Sequence, residues 1–296
     1  TYGHFPLYLG VAFGEVMHRA ASLAERIGLS DEALSLMQRA DRDCDAIAVA
    51  GRLTMAILDS LTIWLLFLLG RRIFSAGAGL LAAMFYAFSA QAIQLSHFFA
   101  MDPASTTFTV LAVYGAVRMM QEPNARSAIL TGIGAGLAIS SKFSALPVLA
   151  APVTASALVV ILEQQRAYRD VRATNGALQF RAIIGAGLAL IVAGLSFFVT
   201  SPYSVLDWQS FIQATLIEQG RMVRGIADMP FTRQYRNTTP YLYFIFQQVA
   251  WGLWWPLGVV TLGGVLAMLV DLVQTLWRLA RNWTHMAQGD AFGIRM

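Results

Sequence analysis

Long apolar runs dominate this chain and restrict what it can fold into. A helix needs roughly 20 apolar residues to cross a bilayer core of about 30 Å. Seven runs approach that length, at about 47–69, 75–93, 103–121, 126–141, 143–162, 181–200 and 255–277. Of the 296 residues 57% are hydrophobic and only 13% are charged, against about 25% charged in soluble domains. The sequence therefore predicts an all-α polytopic membrane protein, a transmembrane helix bundle with about seven spans.

Arginines between these runs predict the orientation of the bundle. Cytoplasmic connections are enriched in Lys and Arg, and arginines cluster at alternate boundaries: Arg71, Arg72, Arg118, Arg126, Arg166, Arg169, Arg172, Arg181, Arg278 and Arg281. Residues 1–46 are then an external loop with interfacial amphipathic helices, and 47–200 a six-span bundle. Residues 201–254 are a long external loop, and 255–296 the last span with a cytoplasmic tail.

Two further segments are predicted to lie at the membrane surface. In residues 12–40, Val16, Leu23 and Ile27 recur at helical spacing, with charged residues largely on the other side, as in an interfacial helix. Residues 241–256 are rich in Trp and Tyr, which prefer the headgroup level. The fourth apolar run is short, so it is either a tilted span or half of a hairpin broken around Lys142.

His97 and Asp102 flank the predicted external end of the second and third runs, in "SHFFAMDPAS". One interpretation is structural, because Asp before Pro103 is typical of a helix N-cap. The other is functional: an acid at the membrane surface that binds a metal ion or orients an acceptor nucleophile.

Asp59 lies inside a predicted span, where an acid is a functional-site hypothesis by default. Arg52, two turns earlier on the same helix face, is its predicted partner. The alternative to a functional role is an internal ion pair or a hydrogen bond that packs two helices.

Cations at the predicted external face allow two readings each. Lys142 either extends to the interface or holds a phosphate as a point charge. Arg224, Arg233 and Arg236 either clamp a phosphate or attract anionic lipid headgroups. His4, in "YGHFPLYLG", is weak evidence by itself.

Taken in order, five segments resemble a known family. "GHFPLYL", "GRLTMAILDSLTIWLLFLLGRRIF", "SHFFAMDPAS", "GLAISSKFSALPVL" and "TSPYSVLDW" are similar to segments of the GT-C membrane glycosyltransferases. Within these, family 39 is most similar, the group of protein O-mannosyltransferases and aminoarabinose transferases. The resemblance covers nearly the whole chain.

The resemblance implies a reaction and a location. Such enzymes move a hexosyl or pentosyl group from a polyprenyl-phosphate carrier to an acceptor (a lipid, glycan or protein) by an inverting displacement. They act at the external face of a membrane, here expected to be a prokaryotic plasma (inner) membrane. Membrane lipid and other protein subunits are further expected partners. The chain shows no nucleic-acid motif.

The resemblance also implies residue roles. His4, Pro6 and Tyr8 belong to a first-external-loop motif in which Phe5 replaces a proline. Asp102, with His97, organises the active site and is the candidate ligand of a divalent metal ion (Mg²⁺, Mn²⁺ or Zn²⁺). The roles at the donor phosphate fall to Lys142, Arg224, Arg233, Arg236 and Tyr203. The family's principal catalytic acid precedes the "PLYL" motif, so it is expected upstream of this chain.

Two other functions remain open from the sequence. One is a non-catalytic transmembrane subunit of a larger complex, built on a transferase-like scaffold. The other is a transporter, which typically has broken helices and several polar residues near the midplane. Asp59 is the only such deep residue in the predicted spans, which disfavours the transporter.

Overall fold

The chain is described by a computed structural model over residues 4–28, 30–38, 47–170, 175–226, 230–235 and 237–293. Every regular element of these residues is a helix, which confirms the all-α class. The α-helices are α1 (Phe5–Arg26), α2 (Asp31–Gln38), α3 (Ile47–Ile73), α4 (Ala76–Ala87), α5 (Ala90–Ser96), α6 (Met101–Gln121), α7 (Ala125–Ser141), α8 (Ala150–Asp170), α9 (Gly176–Thr200), α10 (Tyr203–Leu206), α11 (Trp208–Ile212), α12 (Gln219–Val223), α13 (Leu242–Gln247) and α14 (Trp255–Gly293).

Helices occupy all seven apolar runs, but not all of them qualify as spans. Four stretches of the described residues are long and apolar enough to cross a membrane: Ile47–Ile73, Phe143–Arg166, Gly176–Thr200 and Trp255–Arg278. Helices α4 and α5 make a fifth if this pair, bent by 62°, is one span. Helices α6 and α7 do not qualify, so the count of seven stays a prediction.

Helix α6 is polar for its length because its neighbours cover it. It packs against α3, α7 and α8, and Ser105 and Thr107 near its start are buried. The Thr107 hydroxyl lies 2.8 Å from that of Thr62 on α3. A helix enclosed by other helices does not need the apolar surface that lipid contact demands, which explains why composition alone undervalues α6.

Helix α7 packs closely against α6 and α9 because glycines lie at both contacts. A Cβ added at Gly134 would lie 2.6 Å from the backbone nitrogen of Ala112 on α6. A Cβ at Gly132 or Gly136 would collide with the backbone of α9 or its side chains. The Gly-x-x-x-Gly spacing of 132 and 136 allows backbones to approach as they do in membrane helix pairs.

Helix α1 begins at Phe5, earlier than the amphipathic segment predicted at 12–40. Its small residues, including Gly10 and Gly14, are buried, and α1 packs on α3. Val16, Leu23 and Ile27 are exposed. Among the described residues the predicted apolar face is therefore largely uncovered by protein, as a membrane-facing surface requires, and its contact with lipid stays a prediction.

The predicted external loop 201–254 is folded in its described parts. After α10 and α11 the chain forms a π-helix over Gln213–Glu218, then α12 and a 3-10 helix over Pro230–Tyr235. Backbone polar groups of this segment thus pair within short helices, which the turn-rich composition did not reveal.

The chain divides into two compact units. The first comprises Thr1–Phe88 and Ala92–Asn237, and the second Ser89–Gln91 and Thr238–Met296. In the second unit, α13 leads through a π-helix at Gln248–Gly252 into α14, and the Phe246 and Trp255 rings stack edge-on at 5.6 Å.

Candidate active site

An ion pair joins the ends of α6 and α7. The Lys142 ammonium lies 2.5 Å from Oδ1 of Asp102. Asp102 is in the first turn of α6 and Lys142 directly follows α7, so each charge stabilises the dipole of its helix. The two side chains are 40% and 39% exposed. This pair is therefore fixed in position yet open to a ligand.

Asp102 is not the N-cap that the Asp-Pro sequence predicted. Helix α6 starts one residue earlier, at Met101, and its N-cap is Ala100, with no side-chain cap hydrogen bond. The carboxylate is directed to Lys142 instead. A long-range partner from α7 has displaced the local capping interaction.

A cavity of about 380 Å³ lies within the first unit, and neither Lys142 nor Asp102 is among its described lining residues. Ser140 and Phe143, which enclose Lys142 in the sequence, both line it. The full lining is His4, Ile139, Ser140, Phe143, Phe197, Ser201, Tyr203, Asp207, Ser210, Phe211 and Thr215. The volume falls in the range of small-molecule sites.

Three phenylalanines form the apolar wall of this cavity. The ring of Phe211 meets the rings of Phe143 and Phe197 edge-on, with centroids 5.7 and 6.2 Å apart. Edge-to-face contacts of this kind fix ring orientation. The wall is therefore a preformed surface for an apolar or sugar-ring ligand.

Polar side chains also line the cavity. The hydroxyls of Ser140 and Ser201 lie 2.7 Å apart and are buried. Oδ1 of Asp207 accepts a hydrogen bond from the Ser210 backbone N–H at 3.3 Å, and the second carboxylate oxygen, Oδ2, has no hydrogen bond among the described residues. Asp207 thus combines a cap for α11 with an available anionic oxygen on the cavity.

Sequence reasoning missed Asp207. Its signal was present in "TSPYSVLDW", where an acid follows a Ser-Pro turn at the end of a span. Its place on the cavity depends on the fold of residues 201–218 over the ends of α7 and α9, which no local pattern reports.

Two residues of the first-loop motif reach the cavity region. His4 lines the cavity and its ring lies 5.9 Å from that of Tyr203, another predicted residue. Tyr8 stacks on His4 at 6.3 Å. Pro6 is buried and starts α1. The structure therefore brings His4, Tyr8 and Tyr203 together.

Other predicted site residues lie elsewhere. His97 is exposed, and its Nδ1 donates to the Ile93 carbonyl at 2.6 Å. Among the described lining residues of the cavity, Arg224 and Arg233 are absent, and Arg236 lies outside the described residues. Their roles at a phosphate stay predictions.

The structure does not bring Arg52 and Asp59 together. Asp59 is 8% exposed and accepts a hydrogen bond from the Tyr86 hydroxyl at 2.6 Å. Arg52 is exposed. Seven residues of helix rise by about 10 Å, too far for direct contact. The hydrogen bond between α3 and α4 agrees with the helix-packing alternative.

Few of the described side chains near Asp102 can bind a metal ion. Across the part of the chain that the structure describes, no three His, Cys, Asp or Glu side chains converge. Asp102 is the candidate ligand, and the Lys142 ammonium already occupies its Oδ1. A divalent cation at Asp102 would have to displace that ammonium, and the metal site stays a prediction.

Comparison with known families identifies the central segment. Residues 45–184 match the dolichyl-phosphate-mannose-protein mannosyltransferase family. The match covers slightly less than half of the chain. This segment is similar to that family, which is of the GT-C, family 39-like type, and the match supports a membrane glycosyltransferase of the GT-C type.

The matched segment contains Asp59, His97, Asp102 and Lys142, whereas "GHFPLYL" and "TSPYSVLDW" lie outside the matched range. The resemblance of those two flanking segments stays a prediction. Comparisons with curated proteins and with solved structures gave no match.

Proposed function

We propose that this protein transfers a sugar from a polyprenyl-phosphate carrier to an acceptor at the external membrane face, in the cavity beside Asp102 and Lys142. The observation that carries the proposal is a partly exposed ion pair whose lysine lies in the sequence between Ser140 and Phe143, two residues that line a mostly apolar cavity. The family of the central segment supports the reaction class.

The chemistry of such a transfer suits this arrangement. The acceptor oxygen attacks the anomeric carbon while the bond from that carbon to the phosphate oxygen breaks. Polyprenyl phosphate leaves, and the acceptor proton passes to a base. Positive charge placed at the leaving phosphate is the interaction that usually contributes most to such a step. Lys142, which lies in the sequence between the lining residues Ser140 and Phe143, is the cation proposed for this role.

Each of these residues has a distinct role in the proposed transfer. Lys142 neutralises the donor phosphate, and Asp102 holds its ammonium in place until the donor arrives. Hydroxyls of Ser140 and Ser201 contact the sugar, and the phenylalanine wall receives the apolar part of the carrier. Asp207 supplies a carboxylate that can accept the proton of the acceptor.

The test measures release of polyprenyl phosphate from labelled polyprenyl-phosphate sugars by the full-length protein in nanodiscs. Asp102→Asn and Lys142→Gln are expected to lower turnover at least tenfold, a magnitude typical of lost electrostatic stabilisation. Thermal stability is expected to change little, because an ion pair this exposed contributes only about 0–1 kcal/mol.

The matched control is Arg166→Gln. Arg166 forms an exposed ion pair with Glu163 on α8, at 3.2 Å, and does not line the cavity. Its loss is expected to leave turnover unchanged. Turnover that is indifferent to both Asp102→Asn and Lys142→Gln would remove the site assignment. No turnover with any donor would instead favour the non-catalytic subunit.

A further inference from the structure

A second cavity lies at the other end of α6. It has a volume of about 290 Å³ and is lined by Leu68, Arg71, Arg72 and Tyr114. Along α6, Tyr114 lies about 18 Å from Asp102 at a rise of 1.5 Å per residue. This cavity is therefore separate from the proposed transfer site.

The cations around this cavity are unequally neutralised. Arg72 donates from Nη2 to Glu122 at 2.8 Å and from Nε to Gln121 at 2.6 Å. Arg71 is exposed and has no ion pair among the described residues. The Glu122 carboxylate is thus already paired with Arg72.

Arg118 adds a further positive charge beside Tyr114. Its guanidinium carbon lies 6.0 Å from the centroid of the Tyr114 ring, within cation–π range. Its Nε is buried and, within the described residues, has no hydrogen-bond acceptor. Buried N–H groups normally have a partner, so this donor calls for an acceptor that the described residues do not supply.

We propose that this cavity binds the phosphate group of an anionic membrane lipid. The planar guanidinium groups of Arg71 and Arg118 offer donors that match phosphate oxygens. Leu68 and the exposed Ile73 and Phe74 provide apolar surface for the adjoining glycerol and acyl chains. The cavity lies at the end of α3, a candidate span, where a headgroup is expected.

Arginines collect at one membrane face even without a ligand, so position alone does not carry the proposal. Arg126, in the first turn of α7, illustrates this background because it is exposed and does not line the cavity. A general surface field would depend on Arg126 as much as on Arg71. The proposed site depends on Arg71, which lines the cavity, and on Arg118, which does not line it but contacts the lining residue Tyr114.

The experiment titrates the full chain, purified in neutral detergent, with phosphatidylglycerol and measures bound lipid by native mass spectrometry. Arg71→Gln and Arg118→Gln are each expected to weaken binding about fivefold, the effect of one arginine near anionic lipid. Glu122→Gln is expected to strengthen it, because the competing carboxylate is removed. Arg126→Gln is expected to leave it unchanged.

Three results would overturn the proposal. Phosphatidylcholine could bind equally well, Arg126→Gln could weaken binding as much as Arg71→Gln, or inorganic phosphate could displace the lipid at the lipid's own concentration. If Arg118→Gln fails to fold, Arg71→Gln decides, since the Arg71 side chain is exposed and makes no hydrogen bond or ion pair among the described residues.

Discussion

At the scale of single residues, the surroundings of two carboxylates separate their roles. Asp102 is 40% exposed and paired with Lys142, so it can exchange its partner for a ligand at low cost. Asp59 is 8% exposed and bound to Tyr86 within the helix bundle. The first arrangement suits a site that turns over, and the second suits a permanent link between α3 and α4.

Removing the Tyr86 hydroxyl is expected to destabilise the protein without changing the site. Tyr86→Phe leaves a buried carboxyl oxygen without its partner, which costs about 1–3 kcal/mol. The measurement is thermal unfolding in detergent. The double variant Asp59→Leu with Tyr86→Phe is expected to recover much of the loss, because no unpaired polar group then remains. A double variant less stable than Tyr86→Phe alone would contradict this account.

Asp207 allows its charge to be separated from its capping role. Asn caps helices about as well as Asp, so Asp207→Asn is expected to keep the protein's thermal stability and lower sugar transfer at least tenfold. Asp207→Ser, also a cap, serves as the matched second variant. Transfer that falls only with Asp207→Ala, which removes cap and charge together, would show that Asp207 acts through structure alone.

At the scale of elements, α7 packs closely against two neighbouring helices because glycines lie at the contacts. Gly134 meets α6, and Gly132 and Gly136 meet α9. A helix that contacts two neighbours so closely positions both of its ends well. Lys142 directly follows α7, so the close packing of α7 also positions Lys142 and its ion pair with Asp102.

Adding one methyl group to α7 is therefore expected to be costly. Gly134→Ala places a Cβ 2.6 Å from the Ala112 nitrogen, and overpacking of this kind typically costs about 1–3 kcal/mol. The control is Gly194→Ala on α9, where nothing lies within 4 Å. That change is expected to be neutral or slightly stabilising in a helix. Equal melting temperatures for the two variants would refute the close packing.

At the scale of the whole molecule, the number of helices that cross the membrane determines how the two proposed sites are arranged. The described residues hold four candidate spans, or five with the bent pair, whereas the apolar runs predict seven. The difference rests on α6 and α7. These two helices connect the Asp102–Lys142 pair to the arginine cluster at their other ends, so their crossing decides whether the two proposed sites occupy opposite faces.

Cysteine labelling measures this directly. In a Cys44→Ser background, which removes the single native cysteine, Arg126→Cys and Ser144→Cys mark the two ends of α7. A membrane-impermeant maleimide is expected to reach residue 144 from outside intact cells, and residue 126 only after the cells are opened. Labelling of both positions from the same side would show that α7 does not cross.

The sequence alone predicted more of the architecture than of the site. Apolar runs located the long helices from residue 47 onward, because burial in lipid or protein demands apolar residues whatever the partner, whereas they did not locate α1 (Phe5–Arg26). Asp102 and Lys142 were chosen as site residues separately, forty positions apart. Their contact was not foreseen, since it depends on the way α6 and α7 pack.

Composition and spacing thus determined that the chain is a helical membrane protein, and the order of its motifs indicated the glycosyltransferase family. Only the tertiary structure decided that Lys142 pairs with Asp102, that Asp59 bonds Tyr86 rather than Arg52, and that Asp207 lines a cavity. The physical reason is the distance over which each kind of interaction acts. Hydrophobicity acts on each segment independently, whereas hydrogen bonds and ion pairs act over about 3 Å and exist only after helices distant in sequence have packed.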